Sequence, residues 1–257
     1  MMGLFSQKIQ FIHIGKCGGS YINDLLSKKI SKIHMMKPRM NNSNCKYIIF
    51  IRNPLRRFIS AFNHSKNLIE FDTTGCTYNN LFNDIKSPYY KLHNKIKSKL
   101  KVGHPFNEWN SGEDYITLMN KFKSANCLAE GLSSKNKEIQ QNAQLLMRNE
   151  EVEHIFKGIG WYLHNGKFID TNFKRILFVG SIEDINQDIE KLSILLETPL
   201  KPDGFQRKNM ANYNNTLSKL AINNLLKFYE STDYRALERL YHYGFLNKKL
   251  FESYYTL

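Results

Sequence analysis

Twice within the first 67 residues a short apolar run stops at a turn and gives way to a helix-forming stretch. No other feature limits the possible folds so strongly. The first run, residues 9–14, breaks into Gly15-Lys16-Cys17-Gly18-Gly19-Ser20, after which Ile22, Leu25 and Leu26 share one face of a helix over residues 20–29. The second, Tyr47-Ile48-Ile49-Phe50-Ile51, is apolar throughout, as a strand buried on both faces must be. It ends at Arg52-Asn53-Pro54, and Pro54 suits the first turn of a helix running to about residue 67. Such units in succession predict an α/β fold around a parallel sheet. Residues 32–35 add a short strand, and residues 175–180 another that leads into a helix over 183–196. Two further helices are expected over 216–229 and 233–243, while residues 78–153 read as helical and polar, an insertion or lid. Ligands of these sheets bind beyond the carboxyl ends of the strands, which is where the Gly-rich turn, His34, Arg52 and Glu183 fall.

Composition narrows the function classes. A hydrophobic content of 42% excludes a largely disordered chain. No apolar run reaches membrane-helix length and the first strand begins by residue 9, so neither an anchor nor a leader is expected and the chain is assigned to the cytoplasm. Cys17, Cys45, Cys76 and Cys127 lack zinc-ligand spacing and read as free thiols. Charge is more informative once located. Residues 1–104 hold 18 Lys+Arg against 4 Asp+Glu, whereas residues 105–257 hold 19 of each, so the first part carries the whole formal excess of +14. A lopsided positive field attracts anions: a phosphorylated nucleotide, an acidic polysaccharide or a nucleic acid. The lysines between residues 86 and 101 are more simply a solvated face.

The turn at residues 15–20 is built to cradle a phosphate-like anion. Its glycines let the backbone approach closely, and the following helix points free N–H groups at the ligand. It is not a Walker A loop, because here the lysine precedes the paired glycines. In the second unit an arginine, Arg52, leaves the strand end, and Ser60 stands two helical turns further on.

Together these segments resemble the two nucleotide-binding motifs of sulfotransferases that use 3′-phosphoadenosine 5′-phosphosulfate (PAPS). His13-Ile14-Gly15-Lys16-Cys17-Gly18-Gly19-Ser20-Tyr21 is similar to the family's HxPKTGGTS loop for the 5′-phosphosulfate. Residues 52–62 resemble its RDPxxRFxSxY element for the 3′-phosphate, with Asn53 where aspartate is common. Phe178-Val179-Gly180-Ser181-Ile182-Glu183-Asp184 and Arg207-Lys208-Asn209 resemble later segments of the carbohydrate branch. Gly15 replaces the usual proline, Cys17 the threonine and Tyr21 a serine.

The resemblance implies a P-loop-like three-layer fold, one domain over residues 1–257 with a mainly helical insertion at about 78–157. It also implies sulfuryl transfer from PAPS to a hydroxyl, that of a carbohydrate, without a metal. Lys16 then stabilises the leaving group. Cys17 (through its backbone N–H), Gly18, Gly19, Ser20 and Tyr21 line the phosphosulfate site, and Arg52, Ser60, Arg207 and Lys208 meet the 3′-phosphate. The acceptor hydroxyl needs a base. His34 is similar in place to the base histidine of uronyl-type members, with His64, Glu70 and His104 as rivals. Glu183 and Asp184 most simply open the following helix. A P-loop-like kinase and a basic nucleic-acid-binding protein are the competing readings. Partners are expected to be PAPS, its product 3′-phosphoadenosine 5′-phosphate (PAP) and a glycan or other hydroxyl acceptor, rather than nucleic acid or a membrane.

Overall fold

The computed structural model describes residues 8–26, 30–34, 36–42, 44–73, 115–149, 153–200 and 216–257. Arg207, Lys208 and His104 lie outside the described residues, as do the side chains of His34 and Glu70.

Four strands form one parallel sheet in the order β2-β1-β3-β4. They are β1 (Lys8–His13), β2 (Ser31–His34), β3 (Cys45–Ile51) and β4 (Ile176–Ser181). Helix α1 (Gly19–Leu25) follows β1, and α2 (Pro54–Thr73) follows β3 and runs past the expected end. Three further helices, α3 (Tyr115–Asn120), α4 (Ala125–Gly131) and α5 (Lys137–Arg148), precede two single turns, α6 (Glu153–Phe156) and α7 (Ile159–Tyr162). Then come α8 (Lys167–Asn172), α9 (Ile185–Leu195), α10 (Lys219–Tyr229), α11 (Arg235–His242) and α12 (Lys248–Ser253).

Strand alternation divides the core in two. Phe11, Ile48 and Phe50 face α1 and α9, where they meet Ile22, Leu26, Ile185, Ile189 and Leu192. Ile12, Tyr47, Ile49 and Ile51 point the other way, into a larger core with α2 and the helices from α3 onward. The result is three layers, helix–sheet–helix. Each fully buried Ile or Phe contributes roughly 1.5–3 kcal/mol through removal from water. Leu118, Met119, Leu128, Ala143, Leu146 and Met147 are buried in that larger core, so α3 to α5 are part of the main body and not a detached flap.

Local chemistry sets the helix ends. Asn136 caps α5 by accepting from the Glu138 and Ile139 N–H groups at 2.9 and 3.3 Å. Ser218 caps α10 through Ala221 N–H at 3.1 Å. Between α10 and α11 the backbone widens into a π turn, Glu230–Tyr234, which turns Asp233 inward to full burial. Among the described residues, no helix is long and apolar enough to cross a membrane.

Candidate anion site at the carboxyl edge of the sheet

The turn after β1 is tight, and its close contacts account for its glycines. Ile14 N–H donates to Ile12 O at 3.1 Å and Cys17 N–H to Ile14 O at 3.2 Å. Lys16 and Gly18 both take left-handed backbone, with φ of 66° and 68°. For a lysine this costs on the order of 1–2 kcal/mol, so the turn holds Lys16 in place against its own preference. A Cβ on Gly19 would fall on the His13 ring, which is buried and stacked on Phe11 at 5.8 Å. A Cβ on Gly15 would lie 2.6 Å from His154 Nδ1 and 3.6 Å from the Tyr162 hydroxyl. This explains the missing proline: an aromatic ring from α6 takes its space. Cys17 is buried, its thiol pushed up to about 12 by burial, and its N–H closes the turn. Ser20 is exposed, and Tyr21 packs half-buried on the α1 side of the sheet.

The second motif meets the first directly. Arg52 Nη1 donates to the Lys16 carbonyl at 3.3 Å, joining two segments that are 36 residues apart in the chain. Asn53, the next residue, ties the start of α2 to the end of the chain. Its Oδ1 caps α2, accepting from Leu55 and Arg56 N–H at 2.9 and 3.2 Å. Its Nδ2 donates to Thr256 O at 2.7 Å and Ser253 O at 3.2 Å. Aspartate, the residue common in the motif, has no such donor. The Asn53 N–H donates to Glu183 Oε1 at 3.1 Å, and Glu183 Oε2 accepts from Ser181 Oγ at 2.7 Å. Ser181 Oγ is in turn 2.8 Å from the Tyr254 hydroxyl. Glu183 therefore turns back to brace the second motif, whereas a role at the start of α9 was expected. Asp184 is the N-cap of α9 but makes no side-chain cap bond.

Arg57, five residues beyond Arg52, is fully buried and tied on several sides. It pairs with Asp233 at 3.5 Å, donates to His154 O at 2.8 Å and to the Tyr229 hydroxyl at 3.4 Å. Ser60 is half-buried one turn along α2, and His64 follows a turn later, so Arg57, Ser60 and His64 run along one stripe of the helix. The His64 ring lies 5.1 Å from that of His154.

The electrostatics fit a site made for an anion. Burial, then the charges of Arg52 and Arg57, bring the Lys16 ammonium down to about 8. Burial and the charge of Lys16 bring His64 down to about 4. Positive groups crowded this closely, without a carboxylate among the causes acting on Lys16, favour a negative ligand. Beside Arg52 a cleft of about 410 Å³ opens between Arg56, Ile182, Glu183, Ser253 and Thr256. Near the other side of the turn, the ammonium groups of Lys37 and Lys157 each stand 5.1 Å from the Trp161 ring, next to the Tyr162 that borders Gly15.

Of the residues named from sequence, Lys16 and Arg52 are brought into contact, with Gly18 and Gly19 beside them. His34 stands at the carboxyl end of β2, its backbone in register with His13. Sequence reasoning missed His154, Arg57 and the bracing role of Glu183. His154 belongs to a four-residue helix, too short for any periodic signal.

A model of the sulfotransferase family matches residues 6–255. Neither the curated proteins nor the solved structures contain a match to the chain.

Proposed function

This chain belongs to the sulfotransferase family, and we propose that it transfers the sulfuryl group of PAPS to a hydroxyl of a carbohydrate. The observation that supports this reading is the contact of Arg52 with the Lys16 carbonyl, which joins the two segments whose motifs resemble the 5′- and 3′-phosphate sites. A nucleotide phosphorylated at both ends is the ligand such a pair would select. The residues present fit it: the turn leaves no room for a Cβ at Gly19, and Lys16 is a desolvated cation flanked by two arginines.

Lys16 meets the leaving phosphate, where negative charge grows as the bond to sulfur breaks. Gly18, Gly19 and Ser20 supply backbone donors and a hydroxyl at the start of α1, with Cys17 and Tyr21 anchoring the turn on the two sides of the sheet. Arg52 and Ser60 hold the 3′-phosphate, and the resemblance adds Arg207 and Lys208 to it. The same resemblance gives His34 the acceptor's proton. PAPS supplies the activated sulfuryl group, and the protein positions the two oxygens in line. Lys37 and Lys157, each over the Trp161 ring, suit an acidic sugar, whose carboxylate or sulfate their ammonium groups would meet.

Thermal shift tests the donor reading. PAP should raise the melting temperature well above the effect of equal ATP or AMP, because a ligand that binds only the folded chain stabilises it. Equal shifts with AMP and PAP would remove the 3′-phosphate from the proposal. Transfer of label from PAPS to a panel of glycans, phenols and tyrosyl peptides then identifies the acceptor.

A further inference from the structure

The described histidines are unequally suited to take a proton at the cradle. His13 is buried beneath Gly19, and His164 Nε2 lies 3.0 Å from Pro38 O. His154 presses its ring on the backbone of Gly15, while its carbonyl holds Arg57. His64 differs. It is half-buried, stands on the stripe of α2 that carries Ser60, and is backed by the His154 ring.

We propose that His64, rather than His34, accepts the proton of the attacking hydroxyl. The inference rests on the sulfuryl-transfer reading. In the step, the acceptor oxygen forms a bond to sulfur and the bond from sulfur to the bridging oxygen breaks. The electron pair stays on the 5′-phosphate of PAP beside Lys16, and the hydroxyl proton passes to a ring nitrogen of His64. Three observations converge on it. The His64 ring lies 5.1 Å from that of His154, and it is His154 that borders the first glycine of the turn. α2 is a long helix anchored at its start by Asn53 and Arg57, so the ring rides on a rigid element. Lys16 is close enough for its charge to act on His64.

The surroundings also explain how a weakly basic histidine becomes a competent base. In the free chain Lys16 and burial keep His64 neutral, which leaves a ring nitrogen able to take a proton. Arg52 and Arg57 act on Lys16, and His154 is the titratable group in ring contact with His64. An anionic donor against Lys16 offsets that field and raises the basicity of His64 when the substrate is in place.

The test compares wild type with His64→Asn and His34→Asn for turnover of labelled PAPS, with polysaccharides and with water as acceptors. PAP affinity is measured by calorimetry, and the His64 ring is titrated by NMR with and without PAP. Loss of a general base lowers turnover by about 100-fold or more. His64→Asn should show that loss with PAP affinity within about threefold of wild type, and PAP should move the His64 titration upward from about 4. Equal turnover in His64→Asn and wild type overturns the assignment, as does a His64 titration unmoved by saturating PAP. Loss confined to His34→Asn also overturns it while leaving the donor reading intact. A wild-type chain that binds PAP but consumes no donor removes the reaction, and the base with it.

Discussion

Lys16 joins backbone strain, burial and charge at one residue, so its titration should report on ligand binding. Its ammonium ionises at about 8 in the free chain, held down first by burial and then by Arg52 and Arg57. A bound polyanion favours the charged form, so the pKa rises in the complex. Below about pH 8 the proton is already present and affinity for PAP is flat in this respect. Above it, binding must take up a proton, and Kd should weaken by up to about tenfold per pH unit until the pKa of the complex is reached. Calorimetry from pH 7 to 9.5 should show that slope in wild type and not in Lys16→Met. A wild-type affinity that does not fall across this range would contradict the assignment. Lys16→Met should also lower turnover by about 100-fold or more, as removal of one preorganised donor at a developing charge does.

Asn53 makes a sharper residue-scale case, because a family-typical residue should be worse here. Asn53→Asp keeps the cap on α2 but loses the donations to Ser253 O and Thr256 O. It also sets a second carboxylate near Glu183, which already accepts from the Asn53 N–H. Loss of these two part-buried amide donations, together with like-charge repulsion, should cost about 1–3 kcal/mol. Urea unfolding measures it, and an aspartate variant as stable as wild type would show that the C-terminal carbonyls find other partners.

At the scale of elements, the turn between β1 and α1 depends on close approach more than on glycine flexibility alone. Gly19→Ala drives a methyl into the His13 ring, which is itself pinned against Phe11. Overpacking of this kind costs about 1–3 kcal/mol, and relief requires the turn to move. PAP affinity should therefore fall about tenfold, a loss that Ser20→Ala, at an exposed position, should not match. The strands and the two motif turns were legible because apolar runs and Gly/Pro punctuation are local signals. Tyr47-Ile48-Ile49-Phe50-Ile51 lies within β3, and Pro54 opens α2 as expected. The partners of the turn were not legible. His154 reaches Gly15 from a four-residue helix, and Ser253 and Thr256 reach Asn53 across 200 residues or more. No local pattern encodes such meetings. α3 to α5 were readable as helices but not as core, because their apolar residues find partners only after the chain has folded over α2.

For the whole molecule, charge and packing meet at Arg57. Its partners come from α6, α10 and the π turn, so one guanidinium ties the second motif to the last quarter of the chain. Asp233 also accepts from Gly160 N–H at 2.8 Å, which extends the tie to α7. Arg57→Met removes the cation and leaves Asp233 as a buried carboxylate facing an apolar side chain. Breaking a buried pair from one side costs about 3–5 kcal/mol, enough to bring a marginally stable chain near its unfolding threshold. Neither Lys16 nor Arg52 is removed, so the anion site should re-form whenever the chain is folded. PAP at about 100 times its Kd should then return about 2.7 kcal/mol to the variant, as to wild type. Chemical denaturation of both chains with and without PAP measures the two effects separately. A variant that is destabilised but gains nothing from PAP would mean that Arg57 shapes the anion site itself, and that the tie is part of the binding machinery.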